Sequence, residues 1–492
     1  MMRLLALAAL LVPTPSFARE LWVDHDSIGG PCANGREPAD VTQATPWCTL
    51  GVAAPQVLPG DTVHVRAGHY TEITSCPDCA GDAVLQIVAG GTEADPVRFV
   101  AEPGETVRLS GVSGAVHGVR ILPIGDPAAT PGFVEIEGLL LTGFDGIAVD
   151  VDGATDLVLR RLEIAGNQTG AIQLVGTSNV TVELCRVHDN TLGFAAGITL
   201  SNCGGGHRIV RNAVLGNTDD NDDRDMAGHG IWMDGCGPGG GALVENNLVS
   251  SNEGWCISVD RSDGAVVRNN TCALNGRRSG VGELFVHGDG HSIFNNVLFV
   301  RDNRLALEFF EDVPYPVDPA TIEEGSNMMW SDTQDVLVGW FGTTGTVPEY
   351  QAANPDWGGD TRRADPQLAD PDGNDLHMDP DSPGVDSGDP ANAAEIDFEG
   401  LPRPFDGDGD GTAIIDRGAY EVGAGGDADT DTDTDTDSDT DTDTGADADA
   451  DMDADADADA GDDGGCSCRT IPAGGVVPVL AFAALAFFRR RP

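Results

Sequence analysis

A repeat of about 26 residues constrains the fold of this chain more than any other feature. Between about residues 132 and 312, short apolar strands alternate with turns, and a polar Asn-rich turn closes each unit. The leading apolar residues of successive units are separated by 25, 26, 33, 26 and 27 positions; they are Ile147, Ile172, Ile198, Ile231, Ile257 and Leu284. The strands lie too close together for helices between them. The period therefore predicts a solenoid, in which each strand pairs with the equivalent strand one turn later.

Asparagine pairs close several of these units. They are Asn246-Asn247, Asn269-Asn270 and Asn295-Asn296. Asparagine tolerates the left-handed backbone of a tight turn, and its side-chain amide can hydrogen-bond to an identical amide in the next turn. With turns stacked about 4.8 Å apart, the pairs predict a structural ladder along the solenoid axis. A ligand-binding role for these asparagines is the less favoured alternative.

The segments that flank the repeat resemble those of a known superfamily. The N-terminal motifs are Pro46-Trp47-Cys48-Thr49-Leu50, Pro59-Gly60-Asp61-Thr62-Val63-His64-Val65 and Ala67-Gly68-His69-Tyr70-Thr71-Glu72. They resemble the opening of right-handed parallel β-helix proteins of the pectate-lyase-like superfamily, where a capping segment precedes a Pro-Gly-Asp turn and the first rung. The C-terminal motifs occupy residues 379–388, 397–404 and 416–421. They resemble the closing motif of surface β-helix proteins of the choice-of-anchor group.

Together, the repeat and the resemblance imply an all-β, right-handed single-stranded parallel β-helix. We expect a signal peptide at 1–18, an N-terminal cap at 19–60, the β-helix at 61–330, and final rungs with an irregular C-terminal cap at 331–426. A disordered Asp-rich linker at 427–463 and a sorting or anchor segment with a hydrophobic helix at 464–492 follow. Members of these families do not share one activity, so the resemblance predicts architecture rather than function.

Both ends of the chain carry targeting features. Arg3, the apolar residues 4–12 and the small-residue site that ends at Ala18 predict a cleaved secretory signal. Near the C-terminus, Cys466 and Cys468 precede an apolar run of 18 residues and a terminal arginine cluster. The linker before them contains 18 aspartates and no basic residue. Such a segment cannot bury apolar area, so we expect an extended, disordered stalk.

The tail resembles the MYXO-CTERM family of C-terminal sorting signals. The resemblance implies that Cys466 or Cys468 is modified and that a dedicated sorting protease removes the hydrophobic helix, leaving the protein at the outer membrane or cell surface. The alternative is a plain transmembrane anchor, because 18 apolar residues approach the length of a spanning helix. In that case the terminal arginines face the cytoplasm and the cysteines pair with each other.

The composition is strongly acidic and contains no lysine. The chain has 27 arginines against 81 acidic residues, a formal net charge of −54. This excludes nucleic acid as a partner and disfavours polyanionic glycans unless cations bridge them. The β-helix lyases that the chain resembles mostly use lysine or arginine as the base. This chain offers arginine alone, for example Arg224 or Arg261.

Nine cysteines precede the acidic linker, so at least one is free or pairs between chains. Cys203 and Cys236 each lie five residues after a leading isoleucine. In a stacked solenoid, equal offsets lie above one another at a separation that a disulfide can span, which predicts a Cys203–Cys236 bond. Cys76 and Cys79 have redox-motif spacing without a βαβ context. A tight structural disulfide is therefore preferred over a redox site.

Two acidic segments are candidate calcium sites. The 33-residue unit carries an insertion, predicted as a loop over residues 217–225, whose carboxylates are hard oxygen ligands: Asp219, Asp220, Asp222 and Asp223. A solvated acidic loop is the alternative. The second segment places aspartates at positions 1, 3 and 5 of a calcium loop and glycine at position 6; the aspartates are Asp406, Asp408 and Asp410. Position 12 is Arg417 rather than glutamate, so Asp416 is the candidate substitute.

A catalytic constellation is only weakly indicated. His229 follows the insertion and could act as an acid or base beside Asp225 and Arg224, although a histidine between glycines is more often a rung residue. We therefore expect an exported, cell-surface-anchored β-helix that binds extracellular polysaccharide or matrix as a structural or adhesive module. The alternative is a calcium-dependent polysaccharide lyase or glycoside hydrolase.

Overall fold

Parallel strands in three long sheets form the body of the protein. The computed structural model describes residues 18–25, 31–76, 79–123, 130–193, 195–219, 228–277, 281–302 and 304–423. Successive turns of the chain contribute strands to each sheet, and each strand pairs with its equivalent one turn later, except that Thr343–Thr346 pairs antiparallel with the preceding strand Leu337–Trp340. This is the predicted right-handed parallel β-helix. The predicted signal, acidic linker, sorting segment and the cysteines Cys466 and Cys468 lie outside the described residues, apart from Ala18.

Each of the three sheets contains eleven strands within the described ranges. The first sheet consists of Glu20–Val23, Thr62–Val65, Val97–Ala101, Val134–Glu137, Thr155–Arg160, Ser178–Glu183, His207–Val210, Ala242–Glu245, Val266–Arg268, Ser292–Phe294 and Glu323–Gly325. The second sheet consists of Ala83–Ile87, His117–Ile121, Ile147–Asp152, Gly170–Val175, Ala196–Ser201, His229–Asp234, Ile257–Asp260, Leu284–Val286, Leu305–Phe309, Leu337–Trp340 and Thr343–Thr346. The third sheet consists of Gly68–Tyr70, Val107–Ser110, Leu139–Thr142, Glu163–Ala165, Arg186–His188, Ala213–Leu215, Leu248–Ser250, Thr271–Ala273, Val297–Val300, Met328–Ser331 and Arg362–Arg363.

The remaining elements are short. Two further strand pairs join Thr191–Leu192 to Thr218–Asp219 and Leu368–Asp370 to Asp375–Met378. The α-helices are Leu50–Ala53 and Val347–Ala353, and the 3-10 helices are Pro38–Asp40, Ala54–Gln56, Gly111–Ser113, Pro319–Thr321 and Pro390–Asn392. Within the described ranges, no helix has the length and apolar character needed to cross a membrane.

The apolar repeat builds a continuous core with the predicted register over most of its length. Ile172, Ile198, Ile231, Ile257 and Leu284 pair successively in the second sheet, and all five are buried. The prediction that Ile147 leads this series is wrong. Ile147 pairs with Gly170, and Val149 is the residue that pairs with Ile172. Side chains alternate between the faces of a strand, so a shift of two residues keeps an apolar residue facing inward. Hydrophobicity alone therefore cannot distinguish Ile147 from Val149.

Two buried asparagine ladders run along the corners of the β-helix. The first comprises Asn167, Asn190, Asn217, Asn252 and Asn275, and the second comprises Asn212, Asn247, Asn270, Asn296 and Asn327. Each side-chain amide donates to the Oδ1 atom of the next asparagine at 2.9–3.0 Å. Buried amides need such partners, so the ladders hold the turns in register.

The first ladder corrects the predicted loop. Asn217 is fully buried in the ladder, and Thr218–Asp219 pairs with Thr191–Leu192. Residues 217–219 therefore do not belong to a loop as predicted, and residues 220–225 lie outside the described residues. The polar sequence suggested a solvated loop, because the burial of Asn217 depends on amides that other turns supply.

Each ladder ends on a buried glutamate. Asn275 donates to Glu283 at 2.7 Å, and Asn327 donates to Glu324 at 2.6 Å. Burial raises the pKa of Glu283 to about 8, although the Asn275 amides and the charge of Arg304 oppose the increase. Burial also raises the pKa of Glu324, against hydrogen bonds from Asn327, Thr361 and Tyr350. The ladders thus end on carboxyl groups that burial shifts toward the protonated form.

The first asparagine of each turn pair has a different role from the second. Asn246, Asn269 and Asn295 have positive φ angles of 53°, 52° and 59°, as the turn predicts. Their side chains donate to backbone carbonyls of the C-terminal segment, defined here as residues 385–422. The acceptors are Ile396 at 2.6 Å for Asn246, Asp416 at 3.2 Å for Asn269 and Asp389 at 3.0 Å for Asn295. The C-terminal segment therefore runs along the side of the β-helix.

Four disulfides lie within the described residues. They are Cys32–Cys48, Cys76–Cys79, Cys203–Cys236 and Cys256–Cys272. The Cys203–Cys236 bond links neighbouring turns of the β-helix, at the equal offset that the repeat defines. Cys185 is a free, buried thiol whose pKa burial raises to about 12, so it remains protonated near neutral pH.

Candidate functional site

His229 occupies a rung position rather than an open catalytic position. It begins the strand His229–Asp234 and is buried, and its Nδ1 atom accepts the backbone N–H of Trp255 at 2.9 Å. Burial lowers the pKa of His229 to about 4, despite the nearby charge of Asp260. The imidazole is therefore neutral near pH 7. Its predicted neighbours, Arg224 and Asp225, lie outside the described residues.

The first candidate calcium segment is described only at its start. The backbone N–H of Asp219 donates to the carboxylate of Glu253 at 2.6 Å. The other predicted ligands, Asp220, Asp222 and Asp223, lie outside the described residues. A calcium site in the insertion therefore stays a prediction.

The second candidate segment brings together a different set of carboxylates from the one predicted. Ligand oxygens of Asp386, Asp406 and Asp408 lie within 4.8 Å of one another. The predicted ligand Asp410 is exposed and accepts the backbone N–H of Thr412 at 2.8 Å. Asp386, which lies twenty residues before Asp406, was not predicted because no local spacing connects it to the loop.

The fourth predicted ligand, Asp416, has a structural role in this loop. It is fully buried and accepts backbone N–H groups of Asp386 at 2.7 Å and Val422 at 2.6 Å. Burial raises the pKa of Asp416 to about 7, while these two amides oppose the increase. Asp416 thereby positions Asp386. The carboxylate of Asp386 in turn accepts the N–H groups of Gly407, Asp408 and Ile414 at 2.9–3.0 Å.

A second group of candidate metal ligands contains cysteines. Cys256, Cys272 and Glu283 offer ligand atoms within 4.8 Å of one another and are all buried. Cys256 and Cys272 are joined in a disulfide. A metal binds the thiolate form of cysteine, so the arrangement described is a structural cross-link beside a buried carboxyl group.

The outer face of the second sheet carries a concentration of polar and aromatic side chains that was not predicted. Ile231, Ile257, Leu284 and Leu307 pair on successive strands and face the core. The residue after each of them points outward, because neighbouring side chains of a strand point to opposite faces. We name the outward group the acidic–aromatic face; it comprises Asp234, Asp260, Arg261, Phe285, His287, Glu308, Phe310 and Tyr315. In the sequence, the strand residues of this face are marked only by their positions between core residues.

Charged groups lie at one side of the acidic–aromatic face. Arg261 donates to Asp234 at 2.5 Å and to Asp260 at 3.1 Å. Burial would lower the pKa of Arg261, but the two aspartates raise it overall. Arg261 therefore stays protonated and is poorly suited to act as the base of a lyase, the role that the sequence left open for it.

His287 connects the sheet to the following loop. Its Nδ1 atom is 2.9 Å from Asp260 Oδ1, and its Nε2 atom is 3.2 Å from the carbonyl of Tyr315. The rings of Phe285, Phe310 and Tyr315 lie 5.3–6.5 Å from the imidazole. Burial acts to lower the pKa of His287, but the hydrogen bonds to Asp260 and Tyr315 and the charges of Asp260 and Asp312 raise it overall. His287 thus holds Tyr315 against the sheet.

Glu308 is the carboxyl group of this face that lacks partners. It is partly buried on the strand Leu305–Phe309, and its side chain forms no hydrogen bond or ion pair with any described residue. Burial raises the pKa of Glu308. Tyr315, by contrast, is 50% exposed and presents an aromatic ring at the edge of the face. Burial also raises the pKa of Asp234. The face can therefore offer a ring, hydrogen-bond acceptors and, in Glu308, a carboxyl group with a raised pKa and no partner among the described residues.

The histidines provide a test of this electrostatic arrangement. In an NMR titration, we expect His287 to titrate above its ordinary pKa of about 6.5, and His229 near 4. Because the folded pKa of His287 is raised, its stabilising contribution is complete below about pH 6.5 and decreases as the pH rises through the folded pKa. Asp260→Asn should lower the pKa of His287 by about 1 or more, since an adjacent opposite charge is removed. An unchanged His287 titration in Asp260→Asn would contradict the assignment.

Comparison with known proteins yields resemblances of partial coverage or low identity. Residues 143–308 match a family model described as periplasmic copper-binding protein (NosD). No curated protein sequence matches. Pectate lyase Pel9A is 14% identical, with 83% of this chain and 97% of that chain covered and a TM-score of 0.44. A mannuronic acid specific polysaccharide family 6 lyase from human gut microbiota is 16% identical, with coverage of 57% and 71% and a TM-score of 0.38. The complex of XylC with xylose gives 12% identity, coverage of 82% and 98% and a TM-score of 0.38.

Proposed function

We propose that this protein is an exported, cell-surface-anchored β-helix that binds extracellular polysaccharide through the acidic–aromatic face. The observation that carries the proposal is the half-exposed ring of Tyr315, which packs against His287. His287 in turn contacts Asp260 and Phe310, on the same face that carries Glu308. An aromatic ring offers an apolar surface for the C–H side of a sugar. Carboxylates accept hydrogen bonds from its hydroxyl groups.

The charge of the protein restricts the polysaccharide. With a net charge of −54, the chain repels polymers that carry a negative charge on every unit. The carboxylates of the acidic–aromatic face add to this repulsion. We therefore propose a neutral or sparsely charged polysaccharide as the partner, bound in a structural or adhesive role.

A matched pair of substitutions tests the binding face. Tyr315→Ala should weaken binding of a neutral polysaccharide by about tenfold or more, as expected for loss of the exposed aromatic contact. Leu58→Ala is the control, because Leu58 is exposed to the same extent, 51% against 50%, and lies in the N-terminal part of the chain. Binding would be measured by affinity electrophoresis and calorimetry across a panel of polysaccharides. Equal binding by both variants would exclude this face as the site.

A glycoside hydrolase is the second candidate function, and Glu308 is the observation that favours it. Burial raises the pKa of Glu308, as expected of the carboxyl group that donates a proton in a glycoside hydrolase. Asp234 and Asp260 on the same face are candidates for the second carboxyl group. An enzyme should release new reducing ends from a bound polysaccharide. Glu308→Gln should abolish that release and retain binding. A binding module should release none under the same conditions.

We propose that the carboxylates of Asp386, Asp406 and Asp408 bind a calcium ion. Three carboxylates provide hard oxygen ligands, and within the C-terminal segment the loop that carries two of them is hydrogen-bonded to Asp386. We expect calcium to raise the melting temperature and a chelator to lower it. Asp406→Asn should abolish the shift, and Asp410→Asn should preserve it, because Asp410 lies outside the group. A calcium response unchanged by Asp406→Asn would contradict this placement.

Export and anchoring belong to the proposal. The description of the matched family as periplasmic agrees with the predicted secretory signal. We propose that a sorting protease cleaves the C-terminal tail and that Cys466 or Cys468 carries the anchor. Mass spectrometry of the mature C-terminus tests this. A surface protein that retains Arg489 would contradict the cleavage and favour a transmembrane anchor.

A further inference from the structure

Three arginines surround a pocket that lies apart from the acidic–aromatic face. The pocket has a volume of about 270 Å³, and its lining consists of Ser251, Leu274, Arg277, Arg301, Asp302, Arg304 and Asp372. It lies where strands of the third sheet end. Ser251, Leu274 and Arg301 each directly follow a strand of that sheet, on successive turns. The repeat therefore brings together residues that are distant in the chain.

The pocket is unusual because of its charge. The chain contains three times as many acidic residues as arginines, and lysine is absent. Yet three arginines and two aspartates line this small cavity. Arginine is therefore concentrated locally, within a body that repels anions at longer range.

Only one of the three guanidinium groups is fully engaged with carboxylates. Arg301 donates to Asp332 at 2.9 Å and to Asp372 at 2.6 Å, and it lies 5.4 Å from the ring centre of Phe299. These contacts fix its orientation. The hydrogen bond from Arg301 lowers the pKa of Asp372, so this aspartate is ionised and holds the arginine in place.

The other two arginines retain donor groups without partners. Arg304 donates to the carbonyl of Arg277 at 3.0 Å, but its Nε atom is buried and has no hydrogen-bond partner. The side chain of Arg277 is exposed and forms no hydrogen bond or ion pair with any described residue. A guanidinium group presents planar pairs of N–H donors that match the two oxygens of a carboxylate. The donors and the concave shape therefore suit a carboxylate ligand.

We propose that this pocket binds the carboxylate of a single uronate sugar through Arg277 and Arg304. The volume lies just below the range of about 300–1,000 Å³ typical of ligand pockets, which suits one sugar unit better than a longer chain. The acidic surroundings disfavour a run of uronates. The proposal that the ligand carries a carboxylate rests on the arginines of the pocket alone. The sugar part rests on the proposed function, because Arg304 directly precedes the strand that carries Glu308 on the acidic–aromatic face.

The test compares three small ligands by calorimetry and protein-observed NMR with the purified protein. They are glucuronate, the neutral methyl glucoside and acetate. We expect glucuronate to bind at least tenfold more tightly than either of the others. If methyl glucoside bound as tightly as glucuronate, the carboxylate assignment would be overturned. If acetate bound as tightly as glucuronate, the sugar assignment would be overturned.

Matched variants locate the site. Arg277→Ala should weaken glucuronate binding by about tenfold, since one charge-assisted contact is lost. Arg277 is exposed and bonded through its side chain to no described residue, so this variant should fold. Arg108→Ala is the control, because Arg108 is likewise exposed and unpaired among the described residues, in the strand Val107–Ser110. Unchanged glucuronate binding by Arg277→Ala would overturn the proposal.

The same variants separate this proposal from the proposed function. Tyr315→Ala should leave glucuronate binding intact, and Arg277→Ala should leave binding of the neutral polysaccharide intact. A protein that binds glucuronate through Arg277 but binds no polysaccharide would refute the proposed function and leave the carboxylate pocket standing.

Discussion

Replacement of Asn247 by alanine should lower the free energy of unfolding by about 3–5 kcal/mol, because several buried polar groups lose their partners together. The Oδ1 atom of Asn247 accepts both the backbone and side-chain N–H groups of Asn212 at 3.0 Å. Its side-chain amide donates to the Ile209 carbonyl at 2.8 Å and to Asn270 at 2.9 Å. Each unsatisfied buried group costs about 1–3 kcal/mol. The loss should therefore exceed that of an ordinary surface substitution.

Urea denaturation followed by circular dichroism would measure the effect. Asn392→Ala is the matched control, because the side chain of Asn392 is only partly buried and donates to Asp389 at 2.8 Å in the C-terminal segment. We expect this control to cost about 1 kcal/mol or less. If Asn247→Ala and Asn392→Ala shifted the denaturation midpoint equally, the ladder would contribute nothing beyond an ordinary hydrogen bond.

Replacement of Arg403 by methionine should release the C-terminal segment from the side of the β-helix, at a cost of about 3–5 kcal/mol. The Arg403 and Glu421 side chains are both fully buried, with 3.0 Å between Nη1 and Oε2. Arg403 also donates to the carbonyls of Asp416 and Gly418 at 2.9 Å. Removal of the arginine leaves the Glu421 carboxylate buried without its counter-charge. Hydrogen exchange of residues 385–422 should increase, while exchange in the rungs should change little.

Two further variants make this expectation specific. Arg98→Met removes a partly exposed ion pair with Glu135, 2.7 Å apart, and should cost less than about 1 kcal/mol. Glu421→Gln combined with Arg403→Met removes both charges and should recover part of the loss, because no unpaired charge then remains. If the double variant were less stable than Arg403→Met alone, the cost would not come from the unpaired carboxylate.

The core of the fold was largely predictable from the sequence, because each turn repeats the same pattern of apolar residues. The isoleucines from Ile172 to Ile257 share one file, and Cys203 and Cys236 meet at equal offsets from it. The strand Ile147–Asp152 was aligned two residues away from its true register. Ile147 and Val149 are both apolar and have the same parity, so pairing with the next turn decided between them.

The candidate sites were harder to predict, because their members come from different turns. Asp406 and Asp408 were found from their spacing, whereas Asp386 joins them only after the C-terminal segment has folded back. The acidic–aromatic face was only weakly indicated by the sequence. Phe285 and Glu308 occupy the outward position between two core residues of their strands, which a search of aligned turns for outward aromatic and acidic residues could have detected.

The sequence alone determined the class of fold, since a constant period with short apolar strands leaves stacking of successive turns as the way to bury them. It also predicted a ladder through Asn247, Asn270 and Asn296, but the different role of Asn246, Asn269 and Asn295 and the ladder that contains Asn217 became evident only in the structure. The tertiary structure decided the register of the strand Ile147–Asp152, the path of the C-terminal segment and the grouping of Arg277, Arg301 and Arg304. These depend on pairing energies and charges between distant turns, and no local pattern in the chain records them.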